Sequence, residues 1–436
     1  MPDLRPFRGW QYDFGRLGRP EDLLAPPYDV ISRAEAEELR RGHPNHVAHL
    51  VLGLPPERGH HPDTVYQQAA DAAARFKREA ALVQDATPRF YRLTQEYEGP
   101  DGAIRRRHGL IGALRLHEFS EGVVLPHEET FAKPVEDRLR LMRATRMTFC
   151  QIFGLFDDAS GAVRDVVEQA AGPMLWTMTD GQGAAHSFCA IEDADALLTI
   201  HRVLAPVHVF VADGHHRCTA ALAYWRELGC PGVDDAERGA AAFATVCLSD
   251  MRDPGLGLFA THRLLRRPAR ICPDEAPPGV RVEALGGTAT PEDLVRRVGE
   301  CEGPAWAFVS AGGASLVRVT DPAKVDPLLD ANRSPAWRSL DLAILHSVVL
   351  PSLLGPDREL ASDEENLLFS RDAADAVGRA RRGEVGIAIL TKPPTLEQLR
   401  LVCEAGDRMP HKSTYFYPKV LSGAVSRDLI GGVPYP

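Results

Sequence analysis

The apolar positions of this chain fall into short runs broken by glycine, proline and polar turns, and the runs read as alternating strands and helices. Val207, Val209, Phe210, Val211 and Ala212 form an apolar, largely β-branched run that predicts a short buried strand. Asp213-Gly214 breaks it, and Ala220, Ala221, Leu222 and Tyr224 beyond predict a packed helix. Upstream, Ser32 with Glu35 three residues on predicts a capped helix start. A strand over 45–52, a long alanine-rich helix over 62–83 and a hairpin of 88–97 with 108–116 around Gly99-Pro100-Asp101-Gly102 follow. Next come a charged helix over 135–147, a strand over 151–156, a helix over 162–171, a strand pair 176–178 with 186–191, and a helix over 194–204. Downstream, 241–248, 305–310, 315–319 and 385–390 read as strands, and 291–301, 340–350, 371–381 and 396–404 as helices. The expected class is α/β in the mixed α+β sense.

Length changes this picture by dividing it. At 436 residues the chain exceeds one average domain, and the proline-rich stretch 267–279 is the expected linker between a main α/β domain, 1–266, and a second mixed region, 280–436. With 44% hydrophobic and 25% charged residues, the core is large enough to fold without staples. A net charge of −10 argues against a general nucleic-acid binder. Eight scattered cysteines without a C-x-x-C pair read as reduced, mostly small-hydrophobe positions. No apolar N-terminal leader and no run near ~18 apolar residues is present, so a soluble, cytoplasmic protein is expected. The oligomeric state stays open.

Strand, glycine turn and helix in that order place His215, His216 and Arg217 at the first helical turn. Unpaired N–H groups and the positive end of the helix dipole favour an anion there. Two imidazoles and a guanidinium add donors for phosphate oxygens, and the backbone and side chains of 214–217, Gly214 included, would neutralise a phosphoryl group. The expected site is an oxyanion site, above all for phosphate. Asp213 adds an acceptor for an imidazole tautomer or a metal ion. Two other readings stay open: His215 and His216 capping a surface helix while Arg217 pairs with a carboxylate, or a metal site of Asp213, His215 and His216.

Phosphoryl transfer also needs a proton acceptor and usually magnesium. His127-Glu128-Glu129 lies in a proline-bounded loop, where one glutamate would serve as general base and the other as metal ligand, or both as exposed loop acids. Arg138 is a further candidate phosphate clamp. His262-Arg263 ends an apolar run and would face an anion, or pack as a histidine beside a salt-bridged arginine. The tail Met409 to Lys419 offers Lys412, Ser413 and Thr414 to phosphate, and Tyr415, Phe416 and Tyr417 to a base or to C-terminal anchoring. There is no Gly-x-x-x-x-Gly-Lys P-loop, no Gly-x-Gly-x-x-Gly after a strand and no Gly-x-Ser-x-Gly elbow. These absences disfavour a Walker NTPase, a dinucleotide Rossmann domain and an α/β-hydrolase.

Six segments resemble the bacterial and archaeal family known as domain of unknown function ten-fifteen: APPYDVIS (25–32), NHVAHL (45–50), LPHEETFAKPVEDRLRLMRAT (125–145), VADGHHRCTAAL (211–222), ATHRLL (260–265) and MPHKSTYFYPK (409–419). They occur in the family's order and span nearly the whole chain. ADGHHRCTAA (212–221) also looks like the Gly-x-x-Arg box of the ParB and sulfiredoxin superfamily, whose free-serine kinases carry a box like Asp213 to Arg217. That resemblance implies a nucleotide-binding core of this kind embedded in a larger mixed-sheet protein. It implies that Asp213, His215, His216 and Arg217 hold the phosphate donor and magnesium, and that Glu128 or Glu129 acts as base. The expected function is a phosphotransferase moving a phosphoryl group from ATP, ADP or pyrophosphate, with Mg²⁺, to a small hydroxyl metabolite, free L-serine first. The alternatives are a nucleotide-binding regulatory module without turnover and a metal-dependent hydrolase. In the kinase reading Asp213, His216, Glu128 and Glu129 do the chemistry, and the MPHKST segment returns to the site.

Overall fold

The apolar run before the glycine turn forms the strand Val209–Asp213, with Val209, Phe210, Val211 and Ala212 all buried. It belongs to a mixed sheet whose order is Val124–Pro126, Val209–Asp213, Ile152–Phe156, Phe243–Asp250, Ile104–Arg115, Phe90–Glu98, Ala185–Ile191, Met174–Thr179, with Leu4–Arg5 added beside Ile104–Arg115. Val209–Asp213 runs parallel to Val124–Pro126, and Ile152–Phe156 parallel to Phe243–Asp250. The other pairs in this sheet are antiparallel. Phe243–Asp250 is buried at every position, as expected of a strand covered on both faces. Helices Ala132–Thr145, Ala162–Gln169, Ala194–Leu204 and His215–Glu227 bring Leu139, Val163, Ile200 and Leu222 into one core with Val211, Ile152 and Val246.

This computed structural model describes residues 1–53, 63–169, 172–286, 288–361, 363 and 365–433. The chain forms two compact units: Met1–Pro126, Thr130–Gly257 and Pro418–Pro436 make the first, His127–Glu129 and Leu258–Tyr417 the second. The first unit keeps its C-terminal piece through Arg427, a buried guanidinium that donates to Thr245 Oγ1 at 3.0 Å, to the Ala240 carbonyl at 2.9 Å and to the Phe243 carbonyl. In the second unit an antiparallel sheet runs Val280–Gly286, Gly313–Val319, Ala305–Ser310, Ile387–Leu390, His262–Leu265, Leu367–Ser370. Leu294 and Val298 of one helix and Ala376, Val377 and Ala380 of another pack on it. Among the described residues no helix is long and apolar enough to cross a membrane.

The units differ from a simple cut at the proline-rich stretch. The first unit's middle segment ends at Gly257, and 267–279 lies inside the second unit, where the Cys272 N–H donates to the Leu353 carbonyl at 2.8 Å. Most local expectations hold: the 88–116 hairpin, the Ser32–Glu35 capping box and the helices Ala194–Leu204 and Leu396–Glu404 are all present. The stretch 45–52 is not a strand but a short helix, Ala48–Val51. Its apolar positions 47, 48, 50 and 51 suit a helical face, and His46 Nδ1 accepts the Ala48 N–H at 3.0 Å, closing the turn before it. The alanine-rich helix spans Thr64–Arg78 and ends before Ala80, which is left-handed at φ 51°. Pro62, Ala170 and Ala171, expected at the ends of two helices, lie outside the described residues. The expected helix 340–350 is interrupted, with π-helical Leu345–Val349 between α-helical Asp341–Ile344 and Leu350–Leu354.

Two histidines are expected to make the second unit acid-labile. Burial, reinforced by the charge of Arg263, lowers His262 to about 4 and His346 to about 3. Both are neutral when folded and titrate near 6.5 when unfolded. Their contribution is therefore complete above pH 6.5 and is lost as pH falls toward 4 and 3. By pH 5 each is expected to cost about 2 kcal/mol. Denaturant unfolding of this unit should shift to a clearly lower midpoint at pH 5 than at pH 7, and an unchanged midpoint contradicts the assignment.

Candidate functional site

Asp213 ends its strand, Gly214 turns at φ 88°, and the helix His215–Glu227 starts at once. Only glycine fits this turn without strain. A Cβ on Gly214 would also sit 2.8 Å from the Arg217 guanidinium carbon, so the missing side chain is what lets Arg217 lie over the turn. As N-cap, Gly214 supplies no side-chain acceptor to the first-turn amides, and the positive end of a thirteen-residue helix faces the turn. Gly214→Ala is expected to cost about 1–2 kcal/mol of stability. It should also weaken pyrophosphate binding about ten-fold by displacing the guanidinium. Calorimetric titration checks this; full-strength binding by the variant would contradict it.

His215 and Arg217 are buried, so neither merely decorates a surface helix. Arg217 Nη1 donates to the Gln151 carbonyl, and Nη2 lies 3.4 Å from Asp213 Oδ2. The Nε–H of Arg217 is buried with no hydrogen-bond partner among the described residues. A charged donor left in that state is costly, and a bound oxyanion would satisfy it. Asp213 Oδ1 is paired with Lys419 Nζ at 3.4 Å. Burial raises the Asp213 carboxyl, but the charges of Lys419, Arg217 and His215 outweigh it and hold the group at about 2. Asp213 is therefore a fixed anion that gathers two cations.

A second arginine stands in the same unit. The Arg138 guanidinium lies 3.9 Å from the centre of the Tyr28 ring, donates to the Val51 carbonyl at 3.0 Å and pairs with Asp137. Burial pushes the Tyr28 hydroxyl up to about 12 against the opposing charge of Arg138. The turn carrying Tyr28 and Asp29 is pinned by Ser422, whose N–H donates to the Ala25 carbonyl at 2.7 Å and whose hydroxyl donates to the Pro26 carbonyl at 3.2 Å. Cys150 Sγ donates to the same Ser422 hydroxyl at 3.0 Å, and the charge of Asp29 acts on both Cys150 and Arg217. A largely apolar cavity of about 50 Å³ is lined by both Arg138 and Arg217.

The structure thus brings Asp213, Gly214, His215, Arg217 and Arg138 into one unit and adds Tyr28, Asp29 and Lys419. His216 takes a different part: its Nε2 accepts the Phe131 N–H at 3.1 Å, and its ring stacks on Phe131. The three-ligand metal site of Asp213, His215 and His216 is not formed. Among the described residues no group of three histidine, cysteine or acidic side chains is placed to hold a metal ion, and both Asp213 oxygens face cations.

Glu128 and Glu129 lie in the second unit, Glu129 exposed and Glu128 with its carboxylate 3.9 Å from His127 Nε2. The His127 carbonyl accepts the Met409 N–H at 2.8 Å, and His127 Nε2 meets Thr414 Oγ1 at 2.8 Å. Lys412 is exposed and left-handed, at φ 54°. The Ser413 hydroxyl is fully buried and spends its proton on the Pro410 carbonyl at 2.5 Å. His262 and Arg263 also serve the fold of their unit rather than an open anion site. His262 Nδ1 accepts the Thr391 N–H at 3.3 Å. Arg263 donates to the carbonyls of Thr261, His411 at 3.2 Å and Lys412 at 3.0 Å, and to His346 Nε2 at 3.3 Å. Burial lowers this guanidinium to about 9, offset in part by the charge of Glu128.

Fold and junction together define a mixed α/β protein with a buried arginine at a strand–glycine–helix turn. The chain belongs to the family described as "Protein of unknown function (DUF1015)", which matches residues 4–342. No curated protein matches it. Among solved structures it is similar to a free serine kinase in complex with AMP, at 13% identity and a TM-score of 0.35, over 72% of this chain and 91% of that one. It is also similar to a conserved hypothetical protein from Pyrococcus furiosus, at 13% identity and a TM-score of 0.34, over 74% and 95% of the two chains. A third is SbnI with C-terminal truncation from Staphylococcus aureus, at 9% identity and a TM-score of 0.33, over 72% and 85%. Likeness at these scores assigns nothing to the residues of this chain.

Proposed function

We propose that the first unit binds the phosphates of a nucleotide or pyrophosphate at the Asp213–Arg217 turn and transfers a phosphoryl group to the hydroxyl of a small metabolite. The observation that carries this reading is the buried Arg217 Nε–H, without a partner among the described residues, at a helix N-terminus where Asp213 also pairs with Lys419. Free L-serine is the proposed acceptor, taken from the likeness of residues 213–217 to the free-serine kinase box.

In this mechanism Arg217 and Lys419 neutralise the transferring phosphoryl group as charge gathers on its oxygens. Asp213, held at about 2, is too weak a base to take a proton near neutrality and instead positions both cations. Asp29 is the proposed base: an exposed carboxylate on a pinned turn, whose charge already acts on Arg217. The acceptor oxygen forms its bond to phosphorus, the bridging P–O bond of the donor breaks toward the remaining phosphate chain, and the hydroxyl proton passes to Asp29. Asp213 does not fit as a magnesium ligand, because each of its oxygens faces a cation, so no step is routed through the metal.

Phosphorus NMR of the purified protein with Mg²⁺ and ATP, ADP or pyrophosphate, with and without L-serine, tests the proposal. A new phosphomonoester signal that requires serine supports it and identifies the donor. Donor that remains intact with every acceptor offered contradicts transfer, and donor hydrolysis without a new ester contradicts serine.

A further inference from the structure

Phe131 is the N-cap residue of the helix Ala132–Thr145, with extended φ and ψ and no side-chain cap bond. Serine, threonine, aspartate or asparagine there would stabilise the helix by about 1 kcal/mol, and phenylalanine gives up that gain. Phe131 is also 41% exposed. Single exposed apolar residues are ordinary, but this one has a specific partner. The Phe131 and His216 ring centroids are 6.1 Å apart at 24°, and the Phe131 N–H donates to His216 Nε2 at 3.1 Å. That bond fixes the imidazole orientation. His216 immediately precedes Arg217 in the first turn of its helix, so the aromatic pair is held at the same helix end that carries the proposed phosphate site.

An aromatic surface next to an oxyanion site matches a ligand with a flat ring joined to a phosphate chain. We infer that Phe131, backed by His216, is a stacking surface for a nucleobase, so that the ligand of the first unit is a nucleoside phosphate rather than pyrophosphate. This rests on the reading of Arg217 as a phosphate-binding group. A base on an aromatic ring gains affinity with little regard to base identity, so stacking selects the ligand class and leaves its discrimination to other contacts.

Calorimetric titration of ADP and of pyrophosphate into the wild type, Phe131→Ala and Phe131→Trp tests it. Phe131→Ala is expected to weaken ADP about ten-fold and leave pyrophosphate unchanged, while Phe131→Trp keeps ADP at least as tight as the wild type. Phe131→Leu preserves an apolar N-cap without a ring, so a loss of ADP affinity shared by the leucine and alanine variants locates the effect in stacking. If ADP and pyrophosphate bind the wild type equally and Phe131→Ala changes neither, the stacking surface is refuted while the anion site stands. If neither ligand binds the wild type, the phosphate reading itself fails and takes this inference with it.

Discussion

Arg217→Ala is expected to lower kcat/KM for the proposed phosphoryl transfer by about a hundred- to a thousand-fold, with most of the loss in kcat. The guanidinium is buried and its Nε–H has no acceptor among the described residues, so its attraction to an oxyanion is less screened than at an exposed site. A contact of that kind strengthens as charge moves onto the transferred group, which is why kcat carries the loss. Arg217→Lys retains the charge but not the planar fork and should fall between the variant and the wild type. Removing Arg217 also leaves Asp213 with Lys419 as its paired cation, so melting curves are needed to separate lost chemistry from lost fold. Steady-state rates within a few-fold of the wild type, in a protein that melts normally, would remove Arg217 from the mechanism.

The largest effect on stability is expected in the second unit. Arg263→Ala should cost about 3–5 kcal/mol, because one fully buried guanidinium bonds the carbonyls of Thr261, His411 and Lys412 together with His346. Arg263→Met restores volume without the donors and should recover only part of the loss. Urea unfolding measures both. Pyrophosphate affinity of the folded variant is expected to stay at the wild-type value, since this arginine spends its donors on backbone. A variant of normal stability with weakened pyrophosphate binding would instead make Arg263 an anion ligand.

How far the chain could be read depends on the range of the interactions involved. The strand–turn–helix at 207–224 was legible because each part is local: a β-branched run, a glycine required by φ 88°, then small residues that pack. The capping box at Ser32 and Glu35 and the hairpin at 99–102 are local in the same sense. The stretch 45–52 misled because its apolar spacing suits a half-buried strand and a single helical turn equally well; the bond from the Ala48 N–H to His46 decides between them.

The site was legible at its turn and not at its rim. Asp213, Gly214, His215 and Arg217 are neighbours in sequence, whereas Lys419 reaches Asp213 from the far end of the chain, and no periodicity announces such a pair. Tyr28 and Asp29 carried a signal, two prolines presenting a polar pair, but not their destination beside Arg138 and Arg217. His262 and Arg263 show the converse. A histidine–arginine pair after an apolar run looks like an anion site until its donors are traced to backbone carbonyls and the pair is found buried. Residues 267–279 have a linker's composition, yet Cys272 bonds to Leu353 within the second unit.

The measurement that tests the central claim most directly is a crystal structure of the protein soaked with pyrophosphate and, separately, with ADP. The account predicts a phosphate oxygen within hydrogen-bonding distance of Arg217 Nε and close to the backbone amides at the start of the helix His215–Glu227. Phosphate bound elsewhere, with the Arg217 guanidinium still lying over Gly214 and its Nε–H still without an acceptor, would contradict it.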